Sequence, residues 1–196
     1  MNNMPMPSSA MTALMSVAMM VAMMLPSVAP SLWRYHHHLA EMRAPRAARL
    51  TTLFALGYAS MWSAIGLALF ALSANISRPP APWVVGLVVL CAGAAQCSPW
   101  KSRQLLRCRR ACVIAGSIPT LMTGWRDGCR LGVDCGVSCA APMAVLLVAG
   151  LMDMRMMAAI TAAITAERVA PAGPRVARVT GAFALVAGLA TLALGA

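Results

Sequence analysis

Charged side chains are scarce in this sequence, and acidic ones are the scarcest. Only 11% of the 196 residues are charged, and five of them are Asp or Glu. Soluble domains have about 25% charged and 45–50% apolar residues, whereas 60% of this chain is hydrophobic. Because such a chain has too little polar surface to cover itself in water, the composition excludes an ordinary soluble domain and indicates a protein that folds in lipid.

Several functional signals are also missing. Met1 to Ala10 contain no Lys or Arg, and a cleavable signal peptide needs a basic segment before its apolar stretch, so we predict that the first apolar run is retained. The sequence has no nucleotide-binding loop, Ser/His/Asp arrangement or HExxH motif, so no sequence feature supports an enzymatic function. A net charge of +11 would suggest nucleic acid binding, but the basic residues fall in short segments between apolar runs, which argues against it.

Six apolar runs approach the ~20 residues that a helix needs to cross a bilayer. Because backbone groups in lipid must be hydrogen-bonded internally, we predict that all six are helices. The chain is therefore predicted to be a single all-α domain over 1–196, a polytopic transmembrane bundle of about six spans. The predicted spans are 9–32, 50–74, 82–97, 135–152, 154–170 and 176–196.

Two boundaries need separate treatment. Pro26 and Pro30 lie at the end of the first run, so we expect that helix to kink or end there. Residues 113–125 are apolar but too few for a span and contain Gly116 and Pro119. We predict that they form an interfacial or re-entrant segment.

The basic residues orient the bundle, because short cytoplasmic loops are rich in Lys and Arg. In the six-span arrangement only Arg78 and Arg155 lie on one side. We therefore expect a multi-pass protein of the bacterial inner membrane with both termini outside the cytoplasm. The other fourteen basic residues share the opposite side: Arg34, Arg43, Arg46, Arg49, Lys101, Arg103, Arg107, Arg109, Arg110, Arg126, Arg130, Arg168, Arg175 and Arg178.

This orientation places six of the seven cysteines near the cytoplasmic face, where the compartment is reducing and free thiols are expected. Cys135 and Cys139 open the fourth run four residues apart, so a helix directs both sulfurs to one side. Thiolates in this arrangement can bind Cu(I) or Zn(II). The alternative is that these small side chains serve helix packing. Cys108 and Cys112 have the same spacing in a loop, where the same two explanations apply.

Methionine is abundant, with 17 residues, and thioethers also suit Cu(I). Met11, Met15, Met19 and Met23 form a stripe at four-residue spacing, with Met20 and Met24 beside it. These side chains either contribute to a metal path or fill gaps in an apolar core. His36, His37 and His38 are consecutive and point in different directions, so we expect a solvated loop. Glu167 is the best candidate for a functional carboxylate within the membrane, or it pairs with Arg168 or a loop arginine.

The segment Ala18–Pro30, which contains Met-Met-Leu-Pro-Ser, resembles the opening span of a bacterial family of predicted metal-binding integral membrane proteins. Gly57-Tyr58 with Trp62, Gln96–Pro99, Cys108–Arg110, Gly132–Met143 and Glu167 resemble later motifs of the same family, over about residues 11–170. Family members tend to have adjacent cysteines at the fourth-span entry, where this chain has Ser138. The resemblance implies a membrane location and metal binding.

We therefore expect a membrane protein that binds or passes a soft metal ion, most plausibly copper as Cu(I), with Zn(II) as the other candidate. Cys135 and Cys139 are the expected core ligands, with Cys97 in support and Met23 or Met24 completing the site. The expected partners are the lipid bilayer and another metal-handling or membrane protein. Two alternatives remain: a non-catalytic scaffold or assembly subunit, and a small-solute carrier that depends on Glu167.

Overall fold

The computed structural model describes residues 9–39, 42–75, 81–110, 120–149 and 154–194, and these residues form helices and short connections without any strand. The all-α prediction is confirmed for this part of the chain. The helices are α1 (Ser9–His38), α2 (Ala44–Ala74), α3 (Pro82–Cys97), α4 (Pro99–Arg110), α5 (Leu121–Ala149), α6 (Met154–Val169) and α7 (Gly173–Leu194).

Four of these helices, α1, α2, α5 and α7, are long and apolar enough to cross a membrane. The consecutive helices α3 and α4 pass the same test together, with a bend of 66° between them, so the described residues provide up to five spans. The predicted number of about six is not confirmed. The bend has a local cause, because a residue before proline is driven out of the helical region, and Ser98 before Pro99 is extended with φ −72° and ψ 150°.

The predicted ends of three helices need correction. Helix α1 continues through Pro26 and Pro30 to His38, so the three histidines form its last turn and not a loop. Helix α2 begins at Ala44 instead of residue 50. Helix α5 begins at Leu121 instead of 135 and includes the end of the segment that we predicted to be re-entrant. The rest of that segment, 113–119, lies outside the described residues, as do Cys112, Met152 and Asp153.

Helices α2 and α5 pack in parallel along a row of glycines spaced four residues apart. A side chain at Gly124 would contact Leu50, and one at Gly136 would contact Ile65, so both helices advance in the same direction. The absence of Cβ atoms lets the two backbones approach closely, as in small-xxx-small packing between membrane helices. Helix α5 is thereby held against α2 along most of its length.

The largest core lies among α1, α2, α5 and α6. Trp62, Met24 and Cys135 are fully buried in it. Outward-facing positions are apolar as well, as Leu67 on α2 and Phe183 on α7 illustrate. A surface of this kind suits a hydrocarbon environment better than water.

Candidate metal centre

Helix α5 carries Cys135 and Cys139 into the core one helical turn apart. Their exposed fractions are 0% and 1%, and the four-residue separation on one helix places both side chains on the same face. The sequence spacing therefore predicted the relative position of these two sulfurs correctly. Two adjacent thiols provide the soft ligands that Cu(I) prefers.

A line of polar contacts runs from Cys135 towards α1. The Tyr58 hydroxyl lies 3.1 Å from Cys135 Sγ and 3.5 Å from the Ser27 hydroxyl. Ser27 Oγ lies 4.0 Å from Met24 Sδ and donates a hydrogen bond to the Met24 carbonyl. Met24 is thus connected to the cysteine pair through two side chains. Met23 is buried in the same core but points about 100° away around α1, because a helix has 3.6 residues per turn.

Arg168 on α6 provides the positive charge of this site. One of its terminal nitrogens, Nη2, lies 3.1 Å from Ser138 Oγ and 3.9 Å from both Cys139 Sγ and Cys108 Sγ. A neighbouring guanidinium favours the thiolate form of cysteine. The sequence places Arg168 only among the basic residues of the cytoplasmic side and does not predict this role, because only the packing of α6 against α4 and α5 brings it to the sulfurs.

A buried ion pair lies beside the cysteines. Lys101 Nζ is 3.0 Å from Glu167 Oε2, with exposed fractions of 2% and 1%, and Lys101 also donates a 2.5 Å hydrogen bond to the Ser138 carbonyl. Gln96 and Thr180 donate hydrogen bonds of 2.7 and 3.0 Å to Glu167 Oε1. Charges in a membrane interior are costly unless paired. One alternative predicted for Glu167 was pairing with an arginine, and the ion-pair partner that the structure shows is Lys101.

The remaining predicted ligands lie elsewhere. Cys97 is half-buried between α3 and α7, where its sulfur lies 3.7 Å from the Arg178 carbonyl and against Gly181. No described contact joins it to the cysteine pair. Cys108 lies in helix α4 and not in the loop that we predicted.

The donor set decides which metal suits the site. Among the described residues no three or more His, Cys, Asp and Glu side chains gather into one group. Zinc is almost always held by four ligands, or by three with an open position. Two thiols are too few for zinc but suit Cu(I), which soft sulfur ligands select.

A family model described as PpoB2, copper chaperone, matches residues 13–191. None of the curated proteins and none of the solved structures matches the chain. The match supports the metal-related character that the sequence resemblance implied.

Proposed function

This chain belongs to the PpoB2 copper chaperone family, and from that premise we propose that it binds Cu(I) inside its helical bundle for delivery to another protein. The observation that carries the proposal is the pair of buried thiols of Cys135 and Cys139, one turn apart on α5 and beside the Arg168 guanidinium. Met24 is the thioether best placed to complete the site. In this proposal the protein has no catalytic role.

Charge balance supports this assignment of roles. Cu(I) held by two thiolates carries one net negative charge, and burying an unpaired charge is unfavourable. The Arg168 guanidinium, 3.9 Å from Cys139 Sγ, supplies the opposite charge. Lys101 and Glu167 neutralise each other and leave Arg168 available for the copper complex. A harder divalent cation would gain little from thioether and thiol ligands.

We further propose that the bundle crosses a bacterial inner membrane six times, with both termini outside the cytoplasm. The distribution of Lys and Arg among the connections supports this orientation. The parallel packing of α2 and α5 agrees with it, since both helices then begin on the cytoplasmic side. A carboxy-terminal alkaline phosphatase fusion is expected to be active, and a fluorescent carboxy-terminal green fluorescent protein fusion would contradict the orientation.

The copper proposal is tested by anaerobic titration of the purified full chain with the Cu(I)–bicinchoninate complex. The wild type should take up about one Cu(I) per chain. Cys135→Ser and Cys139→Ser should each weaken binding more than ~100-fold, because loss of even an outer-shell partner lowers metal affinity 10–100-fold. Cys91→Ser, at an exposed cysteine of α3, is the matched control and should bind like the wild type.

The same measurement separates the alternatives. A wild type that binds no Cu(I), or a Cys135/Cys139 double variant that binds it normally, would contradict the proposal and favour the scaffold. The solute-carrier alternative depends on Glu167, whose carboxylate is held by an ion pair and two hydrogen bonds. Stoichiometric retention of Zn(II) in place of Cu(I) would reassign the cargo.

A further inference from the structure

A third buried thiol lies next to the cysteine pair, on a different helix. Cys108 of α4 has an exposed fraction of 4%. Its sulfur lies 3.9 Å from Arg168 Nη2, the same nitrogen that lies 3.9 Å from Cys139 Sγ. Because one atom contacts both sulfurs, the two cannot be further apart than twice this distance. The Nε atom of Arg168 is buried and has no hydrogen-bond partner among the described residues.

Cys108 also lines a small cavity that the cysteine pair does not reach. The cavity has a volume of about 20 Å³, which is enough for a single water-sized occupant. Its walls include Ser27, Ser31 and Leu105, with Arg168 on the inner side and Arg34, an exposed residue near the end of α1, on the outer side. The cavity therefore lies between Cys108 and an exposed side chain, whereas Cys135 and Cys139 are enclosed.

Resting on the proposed copper function, we propose that Cys108 is the entry ligand through which Cu(I) passes from an external thiolate donor to Cys135 and Cys139. Cys135 and Cys139 have exposed fractions of 0% and 1%, whereas Cys108 lines a cavity whose wall also includes the exposed Arg34, so an approaching Cu(I) donor meets Cys108 first. Cys108 is the described thiol that borders both the cavity and the Arg168 side chain.

The transfer is a ligand exchange without a redox change. A bond forms between Cu(I) and the Cys108 sulfur as a bond to the donor sulfur breaks, and the proton of Cys108 passes to the released donor thiolate. In the second exchange Cys139 replaces the remaining donor sulfur, which takes the Cys139 proton as it leaves. In the third exchange Cys135 replaces Cys108, and the Cys135 proton passes to the released Cys108 sulfur. Copper remains Cu(I) throughout, and Arg168 stays next to a thiolate at every stage.

The test separates the rate of loading from the affinity at equilibrium. The full chain is mixed anaerobically with the Cu(I)–glutathione complex, and copper uptake is followed over time and to completion. We expect Cys108→Ser to bind the same final amount of Cu(I) as the wild type but to load roughly tenfold or more slowly, as when a stabilised intermediate is removed from the path. Cys91→Ser, at an exposed cysteine on α3, should load at the wild-type rate.

Other outcomes have definite meanings. Wild-type loading kinetics in Cys108→Ser would overturn the entry role and leave the copper site intact. A loss of equilibrium affinity equal to that of Cys135→Ser would overturn it too, because Cys108 would then be a core ligand. If neither variant nor wild type binds Cu(I), the copper function itself fails.

A second experiment applies if Cys108→Ser does not fold. The wild type is labelled with iodoacetamide, and Cys108 should be modified before Cys135 and Cys139. The reverse order would refute the proposal.

Discussion

The ion pair between Lys101 and Glu167 provides the sharpest test of the packing. It joins α4 to α6, and the hydrogen bonds from Gln96 and Thr180 extend it to α3 and α7. Glu167→Gln keeps the shape of the side chain but leaves the Lys101 ammonium buried without a counter-charge. Removal of one partner from a buried pair destabilises a protein by about 3–5 kcal/mol, so we expect a loss of this size in the free energy of unfolding.

The assay is SDS-induced unfolding of the protein in a mild detergent, followed by far-ultraviolet circular dichroism. Lys101→Met should be similarly destabilising, and the double variant should be more stable than the two losses added together predict, since neither charge is then left alone. Asp127→Asn, at a half-exposed carboxylate of α5, is the control and should change stability by less than about 0.5 kcal/mol. Additive losses in the double variant, or a Glu167→Gln protein as stable as the wild type, would refute the reasoning.

Two further predictions concern the charge beside the thiols and the α2–α5 contact. Arg168→Met should weaken Cu(I) binding about 10–100-fold in the bicinchoninate competition, with Arg168→Lys intermediate, and unchanged affinity in both would contradict the counter-charge role. Gly128→Ala should lower the free energy of unfolding by about 1–3 kcal/mol, because a Cβ there overlaps the Phe54 backbone. Gly66→Ala, whose Cβ would lie 3.4 Å from its nearest neighbour, is the control, and equal losses in the two variants would argue against the close approach.

The sequence-based predictions are correct where they depend only on the helical repeat of neighbouring residues. The four-residue spacing of Cys135 and Cys139 fixes both sulfurs on one helix face whatever the rest of the chain does. The predicted start of the fourth span is wrong, because α5 begins at Leu121 and therefore includes Arg126 and Arg130, which we predicted to precede the helix. A signal was present in the regular glycine spacing from Gly124 onwards, which indicates one continuous packing face.

The partners of the buried charges could not be predicted for a different reason. Lys101 and Glu167 are 66 residues apart in the chain, and neither has a local pattern that identifies the other. The approach of Arg168 to Cys108 and Cys139 likewise depends on three helices packing together. In the sequence, Lys101 and Arg168 are indistinguishable from basic residues of a solvated connection.

Composition and periodicity thus determined by themselves that the chain forms apolar helices suited to a membrane, and that α5 presents two thiols on one side. These properties are local, because they depend on hydropathy and on the 3.6-residue turn. Only the tertiary structure decided that Cys97 lies apart from those thiols, that Arg168 and Cys108 lie beside them, and that Lys101 pairs with Glu167. Contacts between distant segments depend on how whole helices pack, and the glycine row that brings α5 against α2 acts only once both helices have formed.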